Sequence, residues 1–204
     1  MKRHKAGIYF ISVGTIFILL SVIILANNCI NSRIAGKASD DVLQSMERHY
    51  ADLNSVEEPI DLPVGSFRID EVSYEMKTIE INGNEYIGYI SIPALDLELP
   101  VMTDWNYDKL RIAPCRQFGT LLGRDLIVAA HNHQEHFGRL KNLEYGDVLY
   151  FTDVEGYTFS YCVSSIETIQ PYQLDEMLAG DWDLTLYTCT YRGESRLTVR
   201  FVRT

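Results

Sequence analysis

The sequence predicts an all-β domain, a barrel or sandwich of about seven short strands, set behind one N-terminal membrane helix. Ile8–Ala26 is a run of 19 residues without a charge, the length a helix needs to cross a hydrocarbon core. From Tyr86 onward, short apolar or alternating runs are separated by turns of Gly, Pro, Asn and Asp, the pattern of a β-barrel or sandwich. At 204 residues the chain holds one well-buried domain plus this leading segment, and no repeat or low-complexity run interrupts it.

Lys2, Arg3 and Lys5 precede the apolar run, so the positive-inside rule leaves the N-terminus in the cytoplasm and exports the rest. A cleaved signal peptide has the same outline, but Asn27-Asn28-Cys29 is a poor cleavage site and lacks the small residue of a lipoprotein signal. Residues 1–26 are therefore read as a cytoplasmic tip and retained signal-anchor. Three of the 18 Lys and Arg lie there, leaving 15 basic against 28 acidic residues outside, a net charge of −13. That sign disfavours nucleic acid or anionic lipid headgroups as partners.

Residues 27–80 read as an extracellular stalk. Val42, Leu43, Met46 and Tyr50 recur at helical spacing within Ser39–Asn54, which predicts a short amphipathic helix. Glu57–Pro63, with two prolines among acids, breaks it and reads as a linker. Ser66–Ile81 alternates only loosely, and Asn82-Gly83-Asn84 is a turn. The domain at 81–204 then supplies strands at Tyr86–Ile92, Leu97–Met102, Leu126–Ala130, Val148–Thr152, Tyr157–Ile169, Leu184–Cys189 and Arg196–Val202.

The chemistry gathers at the last two strands. With Thr190 facing Ser195, a hairpin sets Cys189 opposite Arg196, and directly opposed residues share a face with Cβ atoms about 5 Å apart. A nearby cation favours the thiolate, the nucleophilic form. Arg196 offers a planar, permanently charged fork for an oxyanion, whereas Arg200, on the same face, lies about 13 Å further along at ~3.3 Å per residue. Leu126–Ala130 is apolar throughout, as in a strand buried on both faces, and His131 is the first polar group after it, where a rigid strand end fixes a catalytic ring. His133 and His136 follow within five residues, and side-chain chemistry alone does not rank the three. Cys115, in a loop after Pro114, and Cys162, inside a strand, read as apolar fillers. No CxxC pair and no HExxH motif is present, so a metal site has little support, and chemistry carried by a thiol and an imidazole requires no cofactor.

Thr185-Leu186-Tyr187-Thr188-Cys189 matches the Thr-Leu-x-Thr-Cys signature of the sortase family, which the chain resembles from about Tyr86 to its end. Gly88–Pro93 with Leu99-Pro100-Val101 resembles the family's opening strand pair, and Asp125–Asn132 resembles the strand that leads to its essential histidine. The resemblance implies a closed eight-stranded β-barrel. It also selects His131 among the three histidines and Arg196 as the essential arginine, and it implies that Thr188 helps shape the site around the oxyanion.

The activity implied is that of a membrane-anchored cysteine transpeptidase on a Gram-positive-type cell. Its partners would be secreted proteins bearing a C-terminal sorting motif, and an amine acceptor, a cell-wall precursor first and a pilin lysine second. In Ile169–Asp183, which joins the long strand to the catalytic one, Tyr172, Leu174, Met177 and Trp182 are candidates to bind the sorting motif; the same spacing would serve the core side of a short helix. That connection is shorter than the helical insertion of class B sortases, although His131-Asn132 and Phe137–Lys141 are reminiscent of that class, and no Asp-Pro-aromatic lid precedes Tyr86. The rival enzyme is a secreted cysteine hydrolase using water as acceptor. The non-enzymatic rival is a tethered binding module with Cys189 in a structural role.

Overall fold

The computed structural model describes residues 2–55, 76–180, 182–190 and 193–204, with the side chains of 2–11, 54–55 and 174 left out. The expected linker Glu57–Pro63, most of the loosely alternating stretch before Ile81, and Tyr191 and Arg192 of the last hairpin loop lie outside the described residues.

The chain begins with helix α1, Lys2–Ser55. The expected membrane span and the expected stalk helix are thus one continuous element. Neither Gly nor Pro occurs between Ile16 and Ile34, and Ser32–Lys37 carries a single glycine, so no helix breaker separates the two segments. The chain divides into two compact units, Met1–Ile34 and Ala35–Thr204. In the first, α1 is apolar on every side, with Ile16–Leu20 and Val22–Leu25 all exposed. It is long and apolar enough to cross a membrane.

The second unit is a β-barrel. Its strands are β1 (Ile79–Ile81), β2 (Asn84–Ile92), β3 (Leu97–Met102), β4 (Cys115–Phe118), β5 (Leu126–Ala130), β6 (Val148–Asp153), β7 (Thr158–Ile169), β8 (Leu184–Cys189) and β9 (Arg196–Arg203). They run in the order β1-β2-β3-β4-β5-β8-β9-β7-β6, and a further β2–β6 pairing closes eight of them, with β1 as one more strand folded back on β2. The closed eight-stranded barrel with few helices is the fold expected. The closure depends on Gly88, with φ near +143°, because a Cβ there would sit 2.1 Å from the Thr152 carbonyl oxygen. Any other residue would open the seam.

Inside the barrel, Ile90, Leu99, Val128, Phe151, Tyr161, Leu186, Val199 and Phe201 pack into one core, and the 3₁₀ turn Phe137–Asn142 contributes Phe137 and Leu140. Outside it, Ala35, Ser39, Val42 and Met46 form the buried stripe of α1, at the i, i+4, i+7, i+11 spacing of one helix face. Val42 and Met46 pack with Ile81, Tyr86, Met102, Leu110, Ala113, Cys115 and Ala129. Ser39 Oγ donates to the Ile112 carbonyl at 3.3 Å, and Tyr50 Oη donates to that of Asp153 at 2.8 Å. The C-terminal half of α1 is therefore part of the globular packing and not only a spacer.

Cys115 lies in a strand rather than the expected loop. Burial raises its thiol pKa to about 12, and its sulfur lies 4.0 Å from that of Met102, which leaves it a packing group.

Candidate active site

Three neighbouring strands, β5, β8 and β9, build the site. Strands β5 and β8 run parallel with Leu126 against Leu184 and Ala130 against Thr188. The next residues on each are His131 and Cys189, at the same end of adjacent strands spaced about 4.8 Å apart. Strand β9 runs antiparallel to β8, with Cys189 facing Arg196 and Thr190 N–H bonded to the Ser195 carbonyl at 2.9 Å. This is the register expected from the hairpin.

Period two divides these strands into two faces. Leu126, Val128, Leu184, Leu186, Val199 and Phe201 point into the core. Ile127 and Ala129, then Thr185, Tyr187 and Cys189, then Arg196, Thr198 and Arg200 share the outer face. Thr188 belongs to the inner set: it is buried, and its Oγ1 donates to the Ala130 carbonyl at 2.8 Å. That bond stitches together the strand ends carrying His131 and Cys189, and it turns the hydroxyl away from the face that carries the thiol.

The cysteine is half-buried and unpaired with any other. Arg196, also half-buried, donates from Nη1 to the carbonyls of Gly193 at 3.3 Å and Ser195 at 3.2 Å, so its own loop fixes the guanidinium. Arg200 is only 2% exposed and is committed elsewhere. Its Nε pairs with Glu167 at 2.7 Å, its Nη1 donates to the Met177 carbonyl and Thr185 Oγ1, and its Nη2 donates to the Glu176 carbonyl. Arg196 and Arg200, four residues apart on β9, thus occupy unlike environments.

His131 is half-buried, and burial, then His133, then Arg111 lower its pKa below the usual imidazole value. The ring centroids of His131 and His133 are 5.3 Å apart, and those of His133 and His136 are 6.3 Å apart. Backbone bonds lock this loop: Phe137 N–H to the His131 carbonyl at 3.1 Å, and Gly138 N–H to that of His133 at 2.8 Å. Arg139 adds a bond from Nη1 to the Leu95 carbonyl at 2.7 Å.

His136 is fully buried, and neither ring nitrogen has a hydrogen-bond partner of ordinary geometry. Burial, reinforced by His133 and His131 and opposed by the Ile112 backbone, lowers its pKa from 6.5 to about 4. The unfolded chain therefore takes up a proton first. The stability from burying a neutral ring is complete above pH 6.5 and drains away as pH falls toward 4. Between pH 7.5 and 5 the loss is expected to be about 2 kcal/mol. Chemical unfolding at both pH values measures it, and His136→Phe is expected to remove that difference; an equal loss in the variant would show that other groups are responsible.

The connection from β7 to β8 contains a short helix, α2 (Leu174–Leu178). Met177 is buried with Ile127 and Ile169, with Tyr187 packed alongside. Met177 and half-buried Trp182 line a cleft with Phe118, Ile127, Thr185 and Arg200. Tyr172 is 81% exposed at the start of the connection, and the side chain of Leu174 lies outside the described residues. Tyr187 did not emerge from the sequence reading, yet alternation alone puts it between Thr185 and Cys189 on the outer face. Its hydroxyl donates to Gln117 Oε1, and burial raises its pKa to about 12. Among the described residues no group of three or more His, Cys, Asp or Glu is arranged to hold a metal ion.

A family model described as the sortase domain matches residues 90–203. Sortase A of Bacillus anthracis is 27% identical over 133 residues, 62% of this chain and 63% of that protein, so the match spans somewhat less than two thirds of the curated relative. Among solved structures, sortase C1 of Streptococcus suis is 30% identical with a TM-score of 0.52, over 58% of this chain and 73% of that one. Sortase C1 of Streptococcus agalactiae is 28% identical with a TM-score of 0.55, over 61% and 70%. Sortase C of Streptococcus pneumoniae is 26% identical with a TM-score of 0.54, over 79% and 88%.

Proposed function

The chain belongs to the sortase family, and on that premise we propose that it is a membrane-anchored transpeptidase with Cys189 as nucleophile, His131 as acid and base, and Arg196 as the oxyanion cation. The Cys189 thiolate attacks the carbonyl of a C-terminal sorting motif, and the negative charge gathers on the carbonyl oxygen beside the guanidinium. His131 in its cationic form gives its proton to the leaving amine, which departs with the C-terminal fragment. A thioester to Cys189 remains. An acceptor amine then attacks it, His131 takes the amine proton, and the new amide bond forms as Cys189 leaves as the thiolate, which restores the starting pair. Helix α1 holds the domain at the outer membrane face, with Lys2, Arg3 and Lys5 on the cytoplasmic side.

The observation that carries this reading is the pair of registers Ala130–Thr188 and Cys189–Arg196, which sets three reactive groups on adjacent strand ends. The acceptor we favour is the lysine of a pilin-like protein. The sortase C of Streptococcus pneumoniae was described for its pilin substrate specificity, and a sortase C of group B Streptococcus at 27% identity and TM-score 0.54 is pilus-related. A cell-wall amine, the first choice from the sequence, becomes the second.

The full-length chain in detergent, given a fluorescent sorting-motif peptide with a lysine-bearing pilin peptide, with a cell-wall amine or with neither, tests this. Amine-dependent ligated product is expected, most of it with the lysine peptide. Cleavage indifferent to either amine, with no ligated product, would leave a hydrolase instead.

A further inference from the structure

Arg200 lies four residues beyond the proposed oxyanion cation on the same strand face, and the proposed chemistry makes no use of it. It is among the largest fully buried side chains of the protein. A buried guanidinium is tolerated only where its donors are matched, and the partners of Arg200 identify what it holds. Two are the carbonyls of Glu176 and Met177 at 2.7 Å each, at the C-terminal end of α2, where a helix leaves carbonyls without intrahelical partners and favours a cation. The other two, Thr185 Oγ1 at 3.1 Å and Glu167 at 2.7 Å, belong to β8 and β7. One side chain therefore fastens the α2 connection to two strands at once.

Among the described residues, the other bonds at the middle of the connection are local ones, such as Gln173 Nε2 to Glu176 and the Met177 N–H to the Gln173 carbonyl. A helix of five residues does not persist by itself, and among the described side chains of α2 Met177 is the buried apolar one. Past α2 the chain turns at Gly180, with φ near +95°, where a Cβ would lie 2.5 Å from Trp182 Nε1. The far end is anchored separately. Asp183 pairs with Arg124 and accepts the Arg203 N–H at 2.6 Å, and its own N–H bonds to the Phe201 carbonyl at 3.1 Å. Between Ile169 and Asp183, then, Arg200 is the polar fastening to the strands among the described residues, and Met177, Trp182 and Thr185 of the adjoining cleft are grouped around it.

We propose that Arg200 is a positioning residue for substrate selection, holding the α2 connection as the fixed wall of the groove in which the sorting motif lies. This rests on the transpeptidase reading above. Arg200 touches no reacting group; it acts through the carbonyls of Glu176 and Met177. Its loss would loosen the wall, weaken peptide binding and leave the bond-making residues as they are.

The test is Arg200→Lys in the full-length, detergent-solubilised chain. Lysine keeps the charge but lacks the fork that reaches two carbonyls and two side chains together. KM for the sorting-motif peptide is expected to rise about tenfold with kcat within twofold, the split expected when binding alone is lost. Amide hydrogen exchange across Gln170–Asp183 is expected to quicken about tenfold while Leu126–Ala130 is unchanged. Unchanged exchange overturns the inference, and so does a fall in kcat at constant KM. If the wild-type chain forms no ligated product, the transpeptidase reading fails, while exchange, with peptide affinity measured by fluorescence anisotropy in place of KM, still decides the role of Arg200. Should Arg200→Lys fail to fold, Glu167→Gln, on a half-exposed side chain, is expected to raise KM two- to threefold, and an unchanged KM there counts against the fastening.

Discussion

Replacement of Cys189 by alanine is expected to abolish cleavage and ligation together, with kcat/KM falling at least about 10⁴-fold, because removing a nucleophile removes the whole covalent route. The other two thiols of the barrel are poorly placed to replace it. Cys115 is fully buried with its pKa pushed up to about 12, and Cys162 lies within β7 facing Val148 and Val202. His131→Ala is expected to cost nearly as much, because the amine then leaves without a proton donor. Burial, His133 and Arg111 hold the His131 pKa low, so its cationic form is the minor one at neutral pH, and the enzyme would work through a small active fraction. Mass spectrometry of the chain quenched during turnover measures the result: wild type should carry a peptide thioester on Cys189 and Cys189→Ala none. A thioester found on Cys115 or Cys162, or turnover retained in Cys189→Ala, would sink the assignment.

What the sequence made legible follows from the range of the interactions involved. Leu97–Met102, Leu126–Ala130 and Leu184–Cys189 were bounded as they are in the structure, because each is an apolar or alternating run ended by a turn or by polar residues. The facing of Cys189 and Arg196 was legible for the same local reason: a hairpin loop of known length sets its own register. Strand β4, Cys115–Phe118, was not legible. It is four residues long, follows Pro114 and carries a register shift between Arg116 and Phe118, so it has too little period to detect and is defined by its partner β5. The burial of His136 and the docking of Ala35–Met46 also depend on neighbours far along the chain. Arg200 is the clearest case. Alternation puts it on the face of Arg196, as found, but nothing local could say that it pairs with Thr185 or that α2 folds over it and takes up its donors. The inward turn of the Thr188 hydroxyl was available from the same alternation, since Thr188 and Cys189 are adjacent and must face opposite ways.

Arg196→Lys is expected to lower kcat for peptide cleavage by about 10²–10³-fold while changing KM less than threefold, the loss typical of removing a preorganised donor to an oxyanion. Arg196 has five N–H donors, and the contacts with Gly193 and Ser195 both come from Nη1, which anchors the fork by one corner on its own loop. A guanidinium held that way meets a developing charge without reorganising at the moment of reaction. Lysine keeps the charge but presents a compact, rotating ammonium, so charge alone is a poor substitute for the planar fork. The comparison with Arg200 makes the test sharp, because the two side chains share a strand and a face and differ in commitment. Loss of Arg196 should appear in kcat, and loss of Arg200 in KM. Alkylation of Cys189 by iodoacetamide provides the control: a rate within about threefold of wild type in Arg196→Lys would show the thiol still accessible and reactive. If kcat/KM also stays within threefold of wild type, or KM alone rises, Arg196 is not the oxyanion cation and the charge must be met by backbone N–H groups near Cys189.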